Sequence, residues 1–384
     1  MPTSLSLTFL GTSAGGGPTL SRGCSSTAIS VNNVIWLVDC AEGTQRQLLH
    51  AKLKIGRIQK VFVTHLHLDH CMGIAPLIGT LMSPIANPAS HPNTKRVDIY
   101  GPRGLRELLR TILRITQTSL SGKYAVHELL TAEDDPCPCE PTIMHSNETN
   151  GEDFRLSSDG ARSYFGLSPQ EAPGAAPFDE LEHLEPLERN AEALAQEGIR
   201  NPRSLLGQLL RTREPVILPD GTVINPPPLI IPGRKLVILG DTCDPWAMKD
   251  LSMDASLLVH EATNAYIPPE VDPRSSAKKD SQDSVKERAV QRGHSTPLMA
   301  GEFARAIRAK MLVLNHFSSK FASPPINSTQ GEQSVSPKTD KRLDIVLEIE
   351  RQASIAWGNG KAIAAYDLLS IDVPAHELDC ITKQ

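Results

Sequence analysis

The 384-residue chain reads as an α/β fold, with two β-sheets packed together and helices on the outside. Three observations point there. Short apolar runs of strand length end in polar tips, and they recur in both halves of the chain, at 58–63, 235–239, 257–259 and 311–314. Apolar or amphipathic stretches of helical length separate them, at 72–82, 104–117 and 297–309. The tips carry His, Asp and Glu, which puts a polar site at the strand ends.

Composition narrows the class. Hydrophobic residues make up 40%, enough for a sizeable core. No apolar run reaches about 18 residues, so no transmembrane helix is expected. The opening Met1-Pro2-Thr3-Ser4 lacks the basic start and long apolar run of a signal peptide. Seven irregularly spaced cysteines do not form a disulfide framework and suit a reducing compartment, with cytoplasm or nucleus as the default. A formal charge of −5 argues against a protein that coats nucleic acid non-specifically. A single domain over 1–384 is expected, with an inserted arm at about 152–232 and a disordered insertion at 322–342.

Taken in order, 5–10 alternates as a first strand and runs into the glycine-rich loop 11–18. That loop matches no nucleotide-binding spacing. It reads as a turn that comes close to the site, with phosphate contact the weaker option. Strands at 27–31 and 34–38 flank Asn32-Asn33, a hairpin signal. Asp39 ends the second of these. It either orients a metal-bound histidine or caps the helix expected at 45–54. Further strands are expected at 97–100, 126–129 and 142–146, the last ending at His145. Residues 187–197 read as one helix stopped by Gly198, and 216–223 as a hairpin around Asp220-Gly221. Polar excursions at 83–95 and 268–285 read as loops, the second of them mobile. A helix over 343–354 and β-type runs at 362–367 and 369–373 close the chain.

The stretch Thr64-His65-Leu66-His67-Leu68-Asp69-His70 organises the rest. Four potential ligands fall within six residues behind an apolar strand. In extended backbone alternate residues share a face, so His65 and His67 can meet one ion. A turn after Leu68 would aim Asp69 and His70 at a second ion. Imidazole and carboxylate suit zinc or a neighbouring transition metal. Strand-end position adds His145, Asp241 and His316 as candidate ligands. His127 reads as a satisfied edge residue, and Cys137-Pro138-Cys139 has no matching second pair.

The H-x-H-x-D-H run is a signature of the metallo-β-lactamase fold. Over most of its length the chain also resembles ribonuclease Z, the tRNA 3′-processing endonuclease family of that fold. The resemblance rests on an ordered set: Phe9-Leu10-Gly11-Thr12, Asp39-Cys40-Ala41-Glu42-Gly43-Thr44-Gln45-Arg46-Gln47, the metal run, Asp220-Gly221-Thr222, Gly240-Asp241-Thr242, His260-Glu261-Ala262-Thr263, Gly293-His294-Ser295-Thr296 and His316-Phe317-Ser318. It implies a four-layer αβ/βα sandwich and two zinc ions. His65, His67 and His145 would hold one ion, Asp69, His70 and His316 the other, with Asp241 bridging. It also implies a tRNA precursor as substrate and a homodimer, with no membrane partner.

The expected chemistry is hydrolysis of a phosphodiester that removes the 3′ trailer and leaves a 3′-hydroxyl on the tRNA. Asp69 would serve as ligand and base, His294 as the acid for the leaving 3′-oxygen, and Glu261 as its orienting partner. His260 reads as structural. The family's short form carries a Gly-Pro element in its tRNA-binding arm. Here the region reads Gly198-Ile199-Arg200-Asn201-Pro202-Arg203, and the arm is acidic at 179–188. A metallohydrolase of small phosphodiesters, esters or lactones is therefore the alternative expectation.

Overall fold

The computed structural model describes residues 4–374 apart from 16, 33, 84–94, 132, 141–142, 156–173, 176–183, 200, 207–208, 210–213, 227–228, 232, 274–279 and 324–340. The bulk of the expected loop at 83–95 and of the insertion at 322–342 lies outside the described residues. The chain divides into two compact units. The larger comprises Thr3–Pro169 and Lys235–Pro374, and the smaller is built on Gln170–Arg234.

In the larger unit, alternating and continuous apolar runs become strands β1 (Leu5–Gly11), β2 (Ser26–Val31), β3 (Val34–Val38), β4 (Ile58–Phe62), β5 (Arg96–Pro102), β6 (Lys123–Leu130), β7 (Glu148–Thr149) and β8 (Phe154–Arg155). They form one sheet in the order β17-β1-β2-β3-β4-β5-β6-β7, where β17 is Ser370–Asp372, and β8 also pairs with β6. From β3 to β7 the neighbours run parallel, so their C-terminal ends share one edge. A second sheet is all parallel, in the order β13 (Leu236–Ile238), β14 (Leu257–Glu261), β15 (Leu312–Asn315), β16 (Ile363–Ala364).

Three apolar clusters order the layers. Leu7, Phe9 and Ile29 of the first sheet pack on Leu257, Val259 and Val313 of the second. On the outer face of the first sheet, Val61, Ile99 and Val126 meet the helices Thr44–His50, Ile74–Leu81 and Leu105–Ile115. On the outer face of the second, Leu258, Leu312 and Leu314 meet the helices Pro297–Ala306 and Lys341–Trp357. The result is the four-layer αβ/βα sandwich of the metallo-β-lactamase fold.

The smaller unit has its own core of Leu187, Leu194, Leu205, Leu209, Leu218 and Ile224. Its hairpin pairs β10 (Val216–Ile217) with β11 (Val223–Ile224), and a second antiparallel pair joins β9 (Gly174–Ala175) to β12 (Leu229–Ile231). The helix expected over 187–197 is two helices, Leu184–Arg189 and Ala191–Gln196. Asn190 lies between them, and its side chain donates to Pro186 O at 2.8 Å. An Asn side chain bonded to nearby backbone favours a cap over a helix interior.

Two other local expectations change. Residues 268–285 are not all loop, because the helix Gln282–Gln291 starts there on a Ser281–Ser284 capping box. The strand expected at 142–146 is not present among the described residues; 143–147 form turns.

One glycine ties the fold to the site. Gly73 N donates to Cys40 O at 2.8 Å, and Cys40 N donates to His70 O at 2.8 Å, so the end of β3 is laced to the metal loop. A Cβ at Gly73 would stand 1.9 Å from Ala41 O. Forcing it in costs about 1–3 kcal/mol, typical of an overpacked interior. Gly73→Ala should therefore lower the unfolding free energy by that amount, read as a fall in the urea midpoint at unchanged slope. A midpoint equal to that of the parent would show that the backbone yields freely here.

Candidate metal centre

The site gathers at the C-terminal ends of strands from both sheets. β3 delivers Asp39, β4 delivers Thr64 and His65, β13 delivers Asp241, β14 ends at Glu261, and β15 is followed by His316. Gly240 lets β13 end against the metal loop, since a Cβ there would be 2.7 Å from Thr64 Cβ. The helix Leu68–Cys71 then turns Asp69 and His70 back toward the strand ends.

Asp39 holds the loop. It is buried with φ 57°, and Asp39 Oδ1 accepts from Thr64 N at 2.8 Å and from Thr64 Oγ1 at 3.0 Å. Asp39 Oδ2 accepts from His70 Nδ1 at 2.7 Å. That bond leaves His70 Nε2 facing the centre, the arrangement that orients a metal-bound imidazole. Of the two roles the sequence leaves open for Asp39, the geometry adopts the orienting one. The helix Thr44–His50 instead begins at Gly43, with no side-chain cap.

Around the centre, His70 Nε2 and His316 Nε2 stand 3.2 Å apart, and lie 3.4 and 3.2 Å from Asp241 Oδ1. Asp69 Oδ2 is 3.9 Å from His70 Nε2 and 3.8 Å from His316 Nε2. It accepts from Gly15 N at 3.0 Å, so the glycine-rich loop does reach the site. His65 Nε2 is 3.7 Å from Asp241 Oδ2 and 2.8 Å from His67 Nδ1. His67 is the most exposed of the set. Three ligand groups emerge among the described residues: His65, His70 and Asp241; Asp69, His70 and His316; Asp241, His294 and His316.

Charge and hydrogen bonding both fit a cation. Asp241 Oδ1 is buried with no hydrogen-bond partner, although two imidazole nitrogens flank it. Burial opposes a charge on His70, yet Asp241 and Asp39 raise its pKa to about 10. Burial also works against the Asp241 carboxylate, but His70 and His316 hold it below the usual carboxylate range. The neighbouring His316 and His70 imidazoles hold Asp69 low as well, against burial. A site that so favours bare carboxylates beside clustered imidazoles is suited to a divalent metal.

Glu261 and His294 form a second pair. His294 Nδ1 lies 3.1 Å from Glu261 Oε1, which raises the pKa of the imidazole against its partial burial. Glu261 is 1% exposed and also accepts from Thr242 N at 2.8 Å. His260 points away from the centre, packing its ring on Phe303, with Nδ1 at 2.8 Å from Glu261 O. That suits the structural role read from the sequence.

His145 is the correction. The structure does not bring it to the centre. Its Nε2 lies 3.0 Å from Thr118 O, and its Nδ1 accepts from Asn147 N at 3.3 Å. It precedes β7, whose Glu148 pairs with Tyr124 at the start of β6. The centre lies at the opposite edge, where these parallel strands end, about 3.3 Å per residue along the strand away. Strand-end position misled here because the described residues of that segment, 143–147, form turns rather than a strand.

Such a cluster at the strand ends of an αβ/βα sandwich defines a metal-dependent hydrolase of the metallo-β-lactamase fold. Comparison with known proteins narrows this. The human "Zinc phosphodiesterase ELAC protein 1" is 32% identical over 396 residues, covering 97% of this chain and 99% of the human one. "Ribonuclease Z" of Cyanothece sp. is 34% identical over 380 residues, covering 97% of each. The crystal structure of human tRNase Z, short form, aligns with a TM-score of 0.53 at 26% identity, covering 96% of this chain and 99% of that one. A family described as "Anti-Pycsar protein Apyc1" matches residues 5–121. The chain belongs to the ribonuclease Z family and is a metal-dependent endoribonuclease. No helix among the described residues is long and apolar enough to cross a membrane.

Asp39→Asn keeps the shape of the loop anchor and removes its charge. Loss of such an orienting partner costs about 10–100-fold in metal affinity. Zinc competition with a chromogenic chelator should show that drop while the fold, read by circular dichroism, is retained. Parent-like affinity would exclude Asp39 as the orienting group.

Proposed function

We propose that this chain removes the 3′ trailer from tRNA precursors, hydrolysing one phosphodiester to leave a 3′-hydroxyl on the tRNA. The observation that carries the reading is the convergence of His65, His70, Asp69, His316 and Asp241 on one centre beside the Glu261–His294 pair. Two zinc ions are part of the proposal. His65, with His67 beside it, would hold one; Asp69, His70 and His316 would hold the other; Asp241 would bridge. When bound, the zinc supplies positive charge for the phosphate oxygens and lowers the pKa of the attacking water.

The remaining work falls to the protein. Asp69, which accepts from Gly15 N, would orient the attacking water and take its proton. The leaving 3′-oxygen needs a proton. His294 spends Nδ1 on Glu261, which leaves Nε2 as the ring nitrogen able to deliver one. Glu261 favours the protonated imidazole and aims it. A homodimer in the cytoplasm or nucleus completes the reading, by family resemblance and by the free thiols of Cys24, Cys40, Cys71, Cys137, Cys139 and Cys243.

Two outcomes test this. Zinc-loaded protein should cut a labelled tRNA precursor at the trailer junction, and Asp69→Ala should abolish the cut. Hydrolysis of a small chromogenic phosphodiester without any tRNA cleavage would instead support the small-substrate reading. His294→Ala should keep its zinc and lose about 100–10,000-fold in turnover on the precursor, the usual range for a general acid. It should lose far less on a nitrophenyl diester, whose leaving group needs no proton. Equal losses on both substrates, or loss of zinc, would remove His294 from the acid role.

A further inference from the structure

We infer that Thr263 is a positioning residue that presets the ring of His316 for metal binding and locks it to the Glu261–His294 pair. The inference rests on the reading of His316 as a zinc ligand. Thr263 is buried, and its Oγ1 has four polar neighbours: Glu261 Oε2 at 2.6 Å, His316 O at 2.9 Å, His316 Nδ1 at 3.1 Å and His294 Nδ1 at 3.5 Å. A hydroxyl has one proton to give and two lone pairs. Glu261 Oε2 and His316 O can only accept. The contact to Glu261 lies in the range of a charge-assisted O–H···O⁻ bond, so the proton goes there.

The lone pairs then face the two imidazoles. His316 Nδ1 must donate for its contact at 3.1 Å to be favourable. That selects the Nδ1–H tautomer and leaves a bare lone pair on Nε2. His316 Nε2 is the atom that faces Asp241 Oδ1 and Asp69 Oδ2. The same hydroxyl fixes Glu261 Oε2, so Glu261 Oε1 stays free for His294 Nδ1 and Thr242 N. One side chain thus couples the metal-binding and proton-donating halves of the centre. The backbone reinforces the link, since Ser318 N donates to Thr263 O at 3.1 Å.

The test compares Thr263→Val, which keeps the shape and removes the hydroxyl, with Thr263→Ser, which keeps the hydroxyl. Thr263→Val should lose about 10–100-fold in zinc affinity, the range for losing an orienting partner, and lower kcat with little change in KM. Thr263→Ser should restore most of both. Parent-like zinc affinity in Thr263→Val overturns the inference. So does a Thr263→Ser protein that is folded but as weak as Thr263→Val, because the methyl would then be what matters.

Should Thr263→Val fail to fold, the parent protein decides. Two-bond ¹H–¹⁵N spectra of histidine-labelled, zinc-free protein at alkaline pH should show His316 protonated on Nδ1, its signals assigned by their loss in His316→Gln. Protonation on Nε2 overturns the inference. The underlying ligand assignment fails separately, if His316→Gln binds zinc as tightly as the parent.

Discussion

The centre depends on one carboxylate. Asp39 sits in left-handed backbone at the end of β3, where an L-residue gains nothing unless its side chain is used. Its two oxygens take the Thr64 backbone, the Thr64 hydroxyl and the His70 imidazole. Those bonds stop the metal loop from leaving β4 as free chain. They also set which nitrogen of His70 faces inward. The reciprocal backbone bonds of Cys40 with His70 and Gly73 close the same knot from the main-chain side. A buried, unpaired carboxylate would cost several kcal/mol, so the knot holds only when every partner is in place.

The second sheet supplies what the first cannot. Asp241, Glu261 and His316 arrive on three neighbouring parallel strands whose tips share one edge. Parallel strands of this kind carry all their outgoing loops at one end, so residues as far apart in the chain as Asp241 and His316 meet without long side chains. The inter-sheet core of Leu7, Phe9, Leu257 and Val313 sets the distance between the two groups of ligands. The pKa shifts then follow. Imidazoles and carboxylates crowded into a half-buried cleft favour the ionised acids. They leave Asp241 Oδ1 without a hydrogen bond, the polar gap that a cation fills.

Legibility differed by residue for physical reasons. His65, Asp69 and His70 were readable because the metal run is local, and a strand followed by a tight turn gives few ways to fold it. Asp241 and His316 were readable because each follows a short apolar run with nothing else to explain a polar tip. His145 followed the same rule and failed. Residues 143–147 around it form turns, and the ring bonds to Thr118 and Asn147 instead. The capped helix Gln282–Gln291 was hidden by a polar composition that resembles a loop, although Ser281 and Ser284 carried its start signal.

The sequence by itself determined the α/β class, the metal run, the order of the motifs and membership of the family, because those rest on local pattern and on chain order. Only the tertiary structure decided the rest. It showed that Asp39 orients His70 rather than capping a helix, that His145 stands at the wrong edge of the sheet, and that Thr263 lies between Glu261 and His316. These are questions of which atoms meet across residues far apart in the chain. Hydrogen-bond geometry answers them to within a few tenths of an ångström, a scale that sequence spacing does not carry.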